Sequence, residues 1–387
     1  MKISIAILGS TGSIGENILD VVRKDKENLK VVLLTANKNY KKLIQQAKEF
    51  KVKNILIYND KYYEFLKVKL KGRKINIFSR KTKLNKILKK KVDYTICGIS
   101  GLDGLKPTLD VIKFTKTIAS ANKESIICGW YLINKKLKKY NTKFIPIDSE
   151  HYSIWNLTRE YSNNDIEEII LTASGGPLLN SPIRIQKTIT PEKTVRHPKW
   201  KMGKKISVDS ANLMNKVFEI MEASKMFNFD LEKYKIFIHP QSYAHTIIKF
   251  KNGLIKMLMH DTDMKIPIFN SIYDKKIKSI TSKKINSKTL NNLSFYEVNK
   301  LKFPSIKLLK KISKKNTLYD TVIIMANEEL VKLFLLNKIS LREIVKNLTK
   351  IINLKEFKKY FREKPSSLSK IIKVSQLVRL KTNGISV

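Results

Sequence analysis

Cysteine is nearly missing from this chain: Cys97 and Cys128 are the two among 387 residues. That excludes a disulfide framework and any thiolate metal site with recognisable spacing, and it suits a reducing cytoplasm. Acidic residues are scarce as well, 33 Asp and Glu against 77 Lys and Arg. Long apolar runs are lacking, and none approaches the roughly 18 residues of a membrane-spanning helix. The opening MKISIAILGS has the look of a secretion signal, but the GSTGSIG that overlaps its end makes Ile3–Leu8 a buried first strand instead. What is present is 42% hydrophobic and 28% charged, a folded rather than disordered composition. The length suffices for two or three domains with cores of their own.

The formal net charge of +44 raises the question of a polyanion partner. A nucleic-acid binder concentrates its charge in a patch and interleaves aromatics. Here the lysines spread through 40–53, 67–91, 135–143, 275–288 and 307–315, and arginine is rare. Lysine on solvated faces, drifting in with a Lys-, Ile- and Asn-rich composition, is the reading taken, with polyanion binding as the alternative. No specific nucleic-acid or membrane partner is expected. A positive surface would still steer phosphorylated substrates inward.

The first 150 residues alternate short apolar runs with polar helical stretches. Strands are expected at Ile3–Leu8, Val31–Thr35, Ile55–Tyr58, Tyr94–Cys97 and Thr117–Ala119. Helices are expected at Ser13–Arg23, Tyr40–Phe50, Thr82–Lys90 and Leu102–Lys113. Repeated βα units mean an α/β fold, here an N-terminal Rossmann-like, doubly wound parallel sheet over 1–147. A central α/β domain over 148–273 follows, with strands at Glu168–Thr172, Lys235–Ile238 and Thr246–Phe250 and a hairpin turn at Asn252-Gly253. Residues 274–299 read as a lysine-rich linker. The helical patterns of 300–387 (Ser305–Lys311, Tyr319–Leu335, Leu341–Thr349, Ser367–Leu380) make a C-terminal helical bundle.

Gly9, Gly12 and Gly15 follow a strand and open a helix. Glycine there lets backbone N–H groups approach a pyrophosphate at the helix N-terminus; a tight turn without a ligand is the plain alternative. The second strand runs into Ala36-Asn37-Lys38-Asn39, with no Asp or Glu for a ribose 2′-hydroxyl. Cationic Lys38 favours a 2′-phosphate, hence NADPH, unless it is one more surface lysine.

Asp148 and Glu150 stand two apart after the strand-like Phe144–Ile147. Carboxylates so spaced on a strand end can point the same way and, joined by a third, hold a hard cation; capping of a helix beginning near His151 is the competing use of Asp148. Thr172–Pro177, TASGGP, is a strand running into a small-residue turn that suits a phosphate or simply turns the chain. Asn122-Lys123-Glu124 follows another strand and could face the same crevice. His197–Glu222 packs one His, a Trp, Lys, Ser, Asn and Glu into one stretch whose second half is helical, with Leu213, Val217, Ile220 and Met221 at helical spacing. Asn215 and Glu219 are four apart and Lys216 and Glu219 three, so amide, ammonium and carboxylate share a face. Such a face could grip an anion beside a metal, or could be solvated.

Taken in order, GSTGSIG, ASANKESIICG, IDSEHYSIW, LTASGGP, HPKWKMGKKISVDSANLMNKVFE, HPQSYAH and MANEE resemble the 1-deoxy-D-xylulose-5-phosphate reductoisomerases over nearly the whole chain. The resemblance implies an enzyme that rearranges a ketose phosphate and reduces the product with NADPH, in the non-mevalonate route to isoprenoids. It implies a phosphorylated small-molecule substrate, a divalent metal (Mg²⁺, Mn²⁺ or Co²⁺) and a homodimer. Carried over by motif, Asp148, Glu150 and Glu219 would ligate the metal. Lys123, Glu150 and His197 would be catalytic. Ser149, Ser174, His197, Trp200, Ser210, Asn215, Lys216 and Glu219 would bind substrate, the phosphate falling to Ser174, Ser210, Asn215 and Lys216. Gly9, Thr11, Gly12, Ser13, Ile14, Asn37, Lys38, Asn39, Asn122, Lys123, Glu124 and Gly203 would line the NADPH site. Lys199, Lys201, Lys204 and Lys205 are read as solvated charge. The chain departs from the family's pattern at Asn37, at Leu178 and in MHDTDMKIP near 260–266, where a turn richer in Gly and Pro is usual. An NADP-linked semialdehyde or homoserine-type dehydrogenase is the other enzyme reading, and for the semialdehyde enzymes neither cysteine has a convincing catalytic setting.

Overall fold

The computed structural model describes residues 2–72, 74–200, 202–274 and 278–385. Lys201, read above as solvated charge, lies outside them. By contacts the chain divides into two units, one of Met1–Ser125, Ile133–Asp148 and Met264–Ile280, the other of Ile126–Leu132, Ser149–Asp263 and Thr281–Val387.

The first unit is built on strands β1 (Ile3–Leu8), β2 (Leu29–Ala36), β3 (Asn54–Ile57), β4 (Asn76–Ser79), β5 (Val92–Cys97), β6 (Thr115–Ser120) and β7 (Lys143–Pro146). They form one seven-stranded sheet in the order β4-β3-β2-β1-β5-β6-β7. All its pairings are parallel. A parallel sheet covered on both faces needs continuous apolar strands rather than alternation. β1 provides this: Ile5, Ala6 and Ile7 are fully buried. The strand order turns outward in both directions from the β1–β5 pair, the switch point where loops diverge and a crevice opens at the carboxyl ends.

The glycines of the first turn answer to that crowding. Gly9 has φ +83°, and a Cβ there would lie 3.0 Å from the Gly98 backbone after β5. A Cβ on Gly15 would come within 2.4 Å of the Gly9 carbonyl oxygen, so only glycine lets the helix Ser13–Lys24 sit so close to its own turn.

Some expectations shift. The stretch 82–90 forms a helix only at Leu84–Ile87, which buries Ile87 alone and has no side-chain cap. Leu102–Lys113 divides into 3₁₀ turns around an α-helix at Leu105–Val111, whose first turn tolerates Pro107 because an N–H there has no helical partner. The helices Asp60–Lys69 and Lys123–Tyr140 and strand β4 were not anticipated; the first buries only Leu66, too weak an apolar face to read. The helix Lys265–Tyr273 belongs to this first unit, where Ser271 Oγ and Tyr94 OH lie 2.6 Å apart.

The second unit carries a five-stranded sheet of β8 (Ile166–Ala173), β9 (Tyr234–Ile238), β10 (Ala244–Phe250), β11 (Ile255–Met259) and β12 (Tyr296–Glu297), ordered β11-β10-β8-β9-β12. β8 and β9 run parallel and the other pairs antiparallel. β12 lies within the stretch expected to be a linker, which also holds a short helix at Ser287–Asn291. The hairpin between β10 and β11 turns at Gly253, φ +86°. Helices Leu318–Leu335, Leu341–Ile352 and Leu368–Ile385 pack together at the C-terminal end. The first two are entered by reciprocal caps, Asp320 and Glu343 accepting from the Thr317 and Ser340 backbone N–H groups.

One buried ion pair fixes the helix that matters most. Lys225 Nζ sits 2.8 Å from Asp320 Oδ2, both side chains at most 2% exposed. It also donates to the Ser313 and Lys315 carbonyls. This ties the helix Met214–Phe227 to Leu318–Leu335. Among the described residues no helix is long and apolar enough to cross a membrane.

The Gly15→Ala variant is expected to lose about 1–3 kcal/mol of stability, the range for overpacking a close contact. Urea unfolding of the two proteins side by side checks it; equal midpoints and slopes would show that the turn has slack.

Candidate active site

The second unit presents its acidic groups from two helices. Glu150 stands in the first turn of Ser149–Thr158 and Glu219 midway along Met214–Phe227. The expectation that Asp148 and Glu150 share a strand end is thereby corrected. The strand β7 stops at Pro146, Asp148 lies in a bend, and Glu150 is already helical. Asp148, the residue directly before that helix, completes the group: one carboxylate oxygen each from Asp148, Glu150 and Glu219 lies within 4.8 Å of the others. Among the described residues these three are the acidic set close enough to share one cation. Oxygen donors in that number suit Mg²⁺ or Mn²⁺ rather than a soft metal.

Ammonium groups balance these charges. Lys216, 3% exposed, donates to Glu150 Oε1 at 2.7 Å and pairs with Glu219 Oε2. Burial alone would depress its pKa; the Glu150 and Glu219 carboxylates outweigh burial and hold it above the ordinary lysine value. In the first unit Lys123, 6% exposed, pairs with Asp148. Asn215 donates its amide to Glu219 Oε1 at 2.5 Å, so the anticipated helical face of Asn215, Lys216 and Glu219 exists, with Lys216 and Glu219 buried and Asn215 half-buried. Ser149 Oγ donates to Glu150 Oε2 at 2.5 Å.

The phosphate candidates lie along a second line in the same unit. After β8 the chain turns through Gly175 (φ +79°) and Gly176 (φ +66°), both in the left-handed region. A Cβ on Gly176 would meet the Ser210 carbonyl at 2.7 Å, so this turn is pressed against the end of the helix Lys204–Ala211 that carries Ser210. Ser174 Oγ accepts from Gly176 N–H at 3.1 Å and lies 3.0 Å from His197 Nε2. His197 Nδ1 accepts from the Lys199 and Trp200 backbone N–H groups at 3.2 and 3.0 Å. An imidazole nitrogen that accepts cannot carry the proton. The hydrogen therefore sits on Nε2, which donates to Ser174. Burial pushes the His197 pKa down to about 4, so the ring is neutral near pH 7.

Of the four lysines read as solvated, Lys199 and Lys204 are exposed. Lys205 is a correction: it is half-buried, 2.7 Å from the buried Asp209 and over the Phe218 ring, because a carboxylate 1% exposed needs a counterion.

The cofactor candidates other than Gly203 fall in the first unit. Gly12 precedes the helix Ser13–Lys24 without a side-chain cap, leaving the N–H groups of Ser13 and Ile14 at an uncapped helix start. Thr11 lies in the same turn. Asn37, Lys38 and Asn39 are exposed after β2, and Asn39 accepts from Lys42 N–H as a helix cap. Asn122 caps the helix Lys123–Tyr140 by accepting from Ser125 N–H and gives its amide hydrogens to the Ile99 and Gly101 carbonyls, so its side chain holds the loop after β5. Glu124 is half-buried in the first turn of the same helix. Gly203 belongs to the second unit, where it immediately precedes the helix Lys204–Ala211.

Three histidines were not singled out in the sequence. His151, fully buried, donates from Nε2 to the Glu219 carbonyl at 2.9 Å, strapping the two acidic helices together. Its place directly after Asp148-Ser149-Glu150 was the available signal. His245 and His260 stack with ring centroids 3.8 Å apart, and Trp200 meets His245 edge-on at 6.1 Å. Their pairing needs the β10–β11 register, which no local pattern shows. Burial lowers the His260 pKa.

Comparison with known proteins bears on this arrangement. Residues 5–129 match the family model for 1-deoxy-D-xylulose 5-phosphate reductoisomerase. Residues 144–227 and 259–381 match the two models for C-terminal domains of the same enzyme. A curated relative of that name from Pelagibacter ubique (strain HTCC1062) is 51% identical over 99% of each chain. Another, from Clostridium botulinum (strain 657 / Type Ba4), is 35% identical over 97% of each. Among solved structures, the reductoisomerase of Zymomonas mobilis in complex with NADPH superposes with a TM-score of 0.89 at 31% identity, covering 100% of this chain and 99% of that one. A reductoisomerase in complex with NADPH, fosmidomycin and magnesium gives 0.91 at 29% identity, covering 100% and 98%.

The His197 ring is expected to titrate near 4 in the ligand-free protein, as the Nε2–H tautomer at neutral pH. Because the folded value lies below that of a free histidine, its contribution to loop stability is full above about 6.5 and is lost as the pH falls through about 4. Nitrogen chemical shifts across a pH series check this. A midpoint at or above the free-histidine value, or an Nδ1–H tautomer, contradicts it.

Proposed function

This chain belongs to the 1-deoxy-D-xylulose 5-phosphate reductoisomerase family, and on that premise we propose that it rearranges and reduces 1-deoxy-D-xylulose 5-phosphate to 2-C-methyl-D-erythritol 4-phosphate. It is an oxidoreductase that uses NADPH and a divalent cation, in the non-mevalonate supply of isoprenoid precursors. The observation that carries the site assignment is the carboxylate group of Asp148, Glu150 and Glu219 around a buried Lys216.

Asp148, Glu150 and Glu219 are the cation's ligands in this reading, and their oxygen donors fit Mg²⁺, Mn²⁺ or Co²⁺. When bound, the cation polarises the substrate's carbonyl and hydroxyl oxygens and NADPH supplies the hydride. Lys123 donates a hydrogen bond to the oxygen on which charge develops and can move a proton there. Ser149 and Asn215 hold substrate hydroxyls or phosphate oxygens once the ligand replaces their carboxylate partners. Ser174, Ser210 and Lys216 grip the phosphate, whose binding orients the reacting carbons. Neutral His197 fixes Ser174 and the backbone of Lys199 and Trp200, so Trp200 can close over substrate and exclude water. The helix start after Gly9 and Gly12, with Thr11, Ser13 and Ile14, takes the pyrophosphate of NADPH. Asn37, Lys38 and Asn39 take its 2′-phosphate end, while Asn122 and Glu124 line the cofactor site in the same unit.

A semialdehyde-dehydrogenase reading needs a reactive cysteine. Cys97 and Cys128 are both buried, and burial pushes the Cys97 thiol up to about 12, the opposite of activation. The buried cysteines fit a reducing compartment, and the cytoplasm is the proposed location. The chain is proposed to work as a homodimer. β11 lies at the open edge of its sheet with Leu254, Ile255 and Met257 exposed at 56%, 65% and 40%, the kind of edge a second copy can cover.

NADPH oxidation is expected to require both 1-deoxy-D-xylulose 5-phosphate and Mg²⁺ or Mn²⁺; oxidation without either, or none with both, overturns the reading. In Glu219→Gln, turnover is expected to fall on the order of a hundredfold or more while NADPH affinity holds, as for loss of a group acting on developing charge. For the assembly, light scattering is expected to give the mass of two chains for the wild type and of one for Ile255→Glu. A monomeric wild type or an undisturbed variant contradicts the edge.

A further inference from the structure

The residue after β11 has no part in the site described so far. His260 N–H donates to the Tyr243 carbonyl at 3.0 Å, which continues the β10–β11 ladder one step past Met259. Opposite it the ladder is irregular. Ala244 pairs with Met259 and Thr246 with Leu258, so His245 is the extra residue of a bulge. A bulge re-aims the side chain it carries. Here it turns the His245 ring onto the face of His260, with centroids 3.8 Å apart and planes inclined by 26°. His245 also donates from Nε2 to the His260 carbonyl at 3.2 Å. His245 also meets Trp200, edge-on at 6.1 Å and 63°. Trp200 is held at its other end by its own backbone bond to His197. Both ends of the 197–200 segment are thus fixed, one by Ser174 through His197, the other by His245 through Trp200.

The His260 nitrogens do not make this stack. Nδ1 donates to the Asp261 carbonyl at 2.7 Å, and Nε2 is buried with no hydrogen-bond partner among the described residues. What His260 gives His245 is an aromatic face. It also stands close enough to Glu150 to feel that carboxylate's charge. It falls in the stretch HDTDMKIP that follows β11.

We propose that His260 is a positioning residue for the substrate-closing segment: its ring seats His245, and His245 seats Trp200. This rests on the function proposed above. It predicts a split that a purely structural role would not produce. Removing the face loosens Trp200 before substrate binds, so KM for the ketose phosphate rises and kcat changes little. Restoring any flat ring at 260 restores KM.

The test compares His260→Gln, which keeps an amide able to bond Asp261 but has no ring, with His260→Phe, which keeps the ring and has no nitrogen. Both are assayed with 1-deoxy-D-xylulose 5-phosphate, NADPH and Mn²⁺, beside the wild type. The intrinsic tryptophan emission change on adding substrate analogue to each NADPH complex is read against Trp200→Phe. In His260→Gln, KM is expected to rise about three- to tenfold, the worth of one aromatic pair. The Trp200 part of the emission change should shrink with it, while NADPH affinity stays at the wild-type value. His260→Phe should match the wild type in both. A wild-type KM and emission change in His260→Gln overturns the proposal, and so does a His260→Phe as impaired as His260→Gln. If the wild type itself fails to turn over, the function proposed above fails instead. If His260→Gln does not fold, the emission change of His260→Phe still decides, since a ring that seats His245 must leave it intact.

Discussion

Lys216 is an ammonium group with almost no access to water, held between Glu150 and Glu219. Three carboxylates within 4.8 Å would repel strongly if left alone in a poorly solvated place. Lys216 makes the pair from the second unit tolerable, and Lys123 does the same for Asp148. The rest of the second unit keeps those charges where they are. His151 straps the two helices, Thr246 Oγ donates to the Glu150 carbonyl, and the buried Lys225–Asp320 pair anchors the helix that carries Lys216 and Glu219. Such pairs are costly to bury and add little net stability, and a cation site is a reason to keep them.

The same logic explains why the proposed anion end looks different. Among the described residues, Ser174 is held by oriented dipoles. Two left-handed glycines turn the chain, Gly176 presses on the Ser210 helix end, and a neutral His197 donates to Ser174 while accepting from its own loop. Neutral donors and one ammonium can hold a phosphate without competing with the acidic cluster for the cation. The net charge of +44 then acts at longer range, drawing phosphorylated ligands toward the surface.

Much of this was legible in the chain. The parallel sheet follows from βα alternation and from apolar runs such as Ile3–Leu8, and the 3.6-residue rhythm of 213–221 places Asn215, Lys216 and Glu219 on one face. What could not be read lies in contacts between distant segments. The column of Trp200, His245 and His260 depends on a bulge in β10 and on its register with β11. Lys205 looks like surface charge until Asp209 is seen to be buried beside it. The sequence puts Glu150 on a strand end because its helix signal begins near His151, one residue too late to include it. Local pattern reports periodicity well and element ends poorly, and the chemistry here sits at element ends.

The central claim is that Asp148, Glu150 and Glu219 form a divalent-cation site and that Lys216 balances its charge. The direct measurement is anomalous scattering from crystals of the whole protein grown with Mn²⁺. The account predicts one strong peak among these three side chains, roughly 2.0–2.4 Å from an oxygen of each, at distances proper to a hard cation. No peak there, or a peak held by other residues while these three remain paired to Lys216 and Lys123, would contradict it.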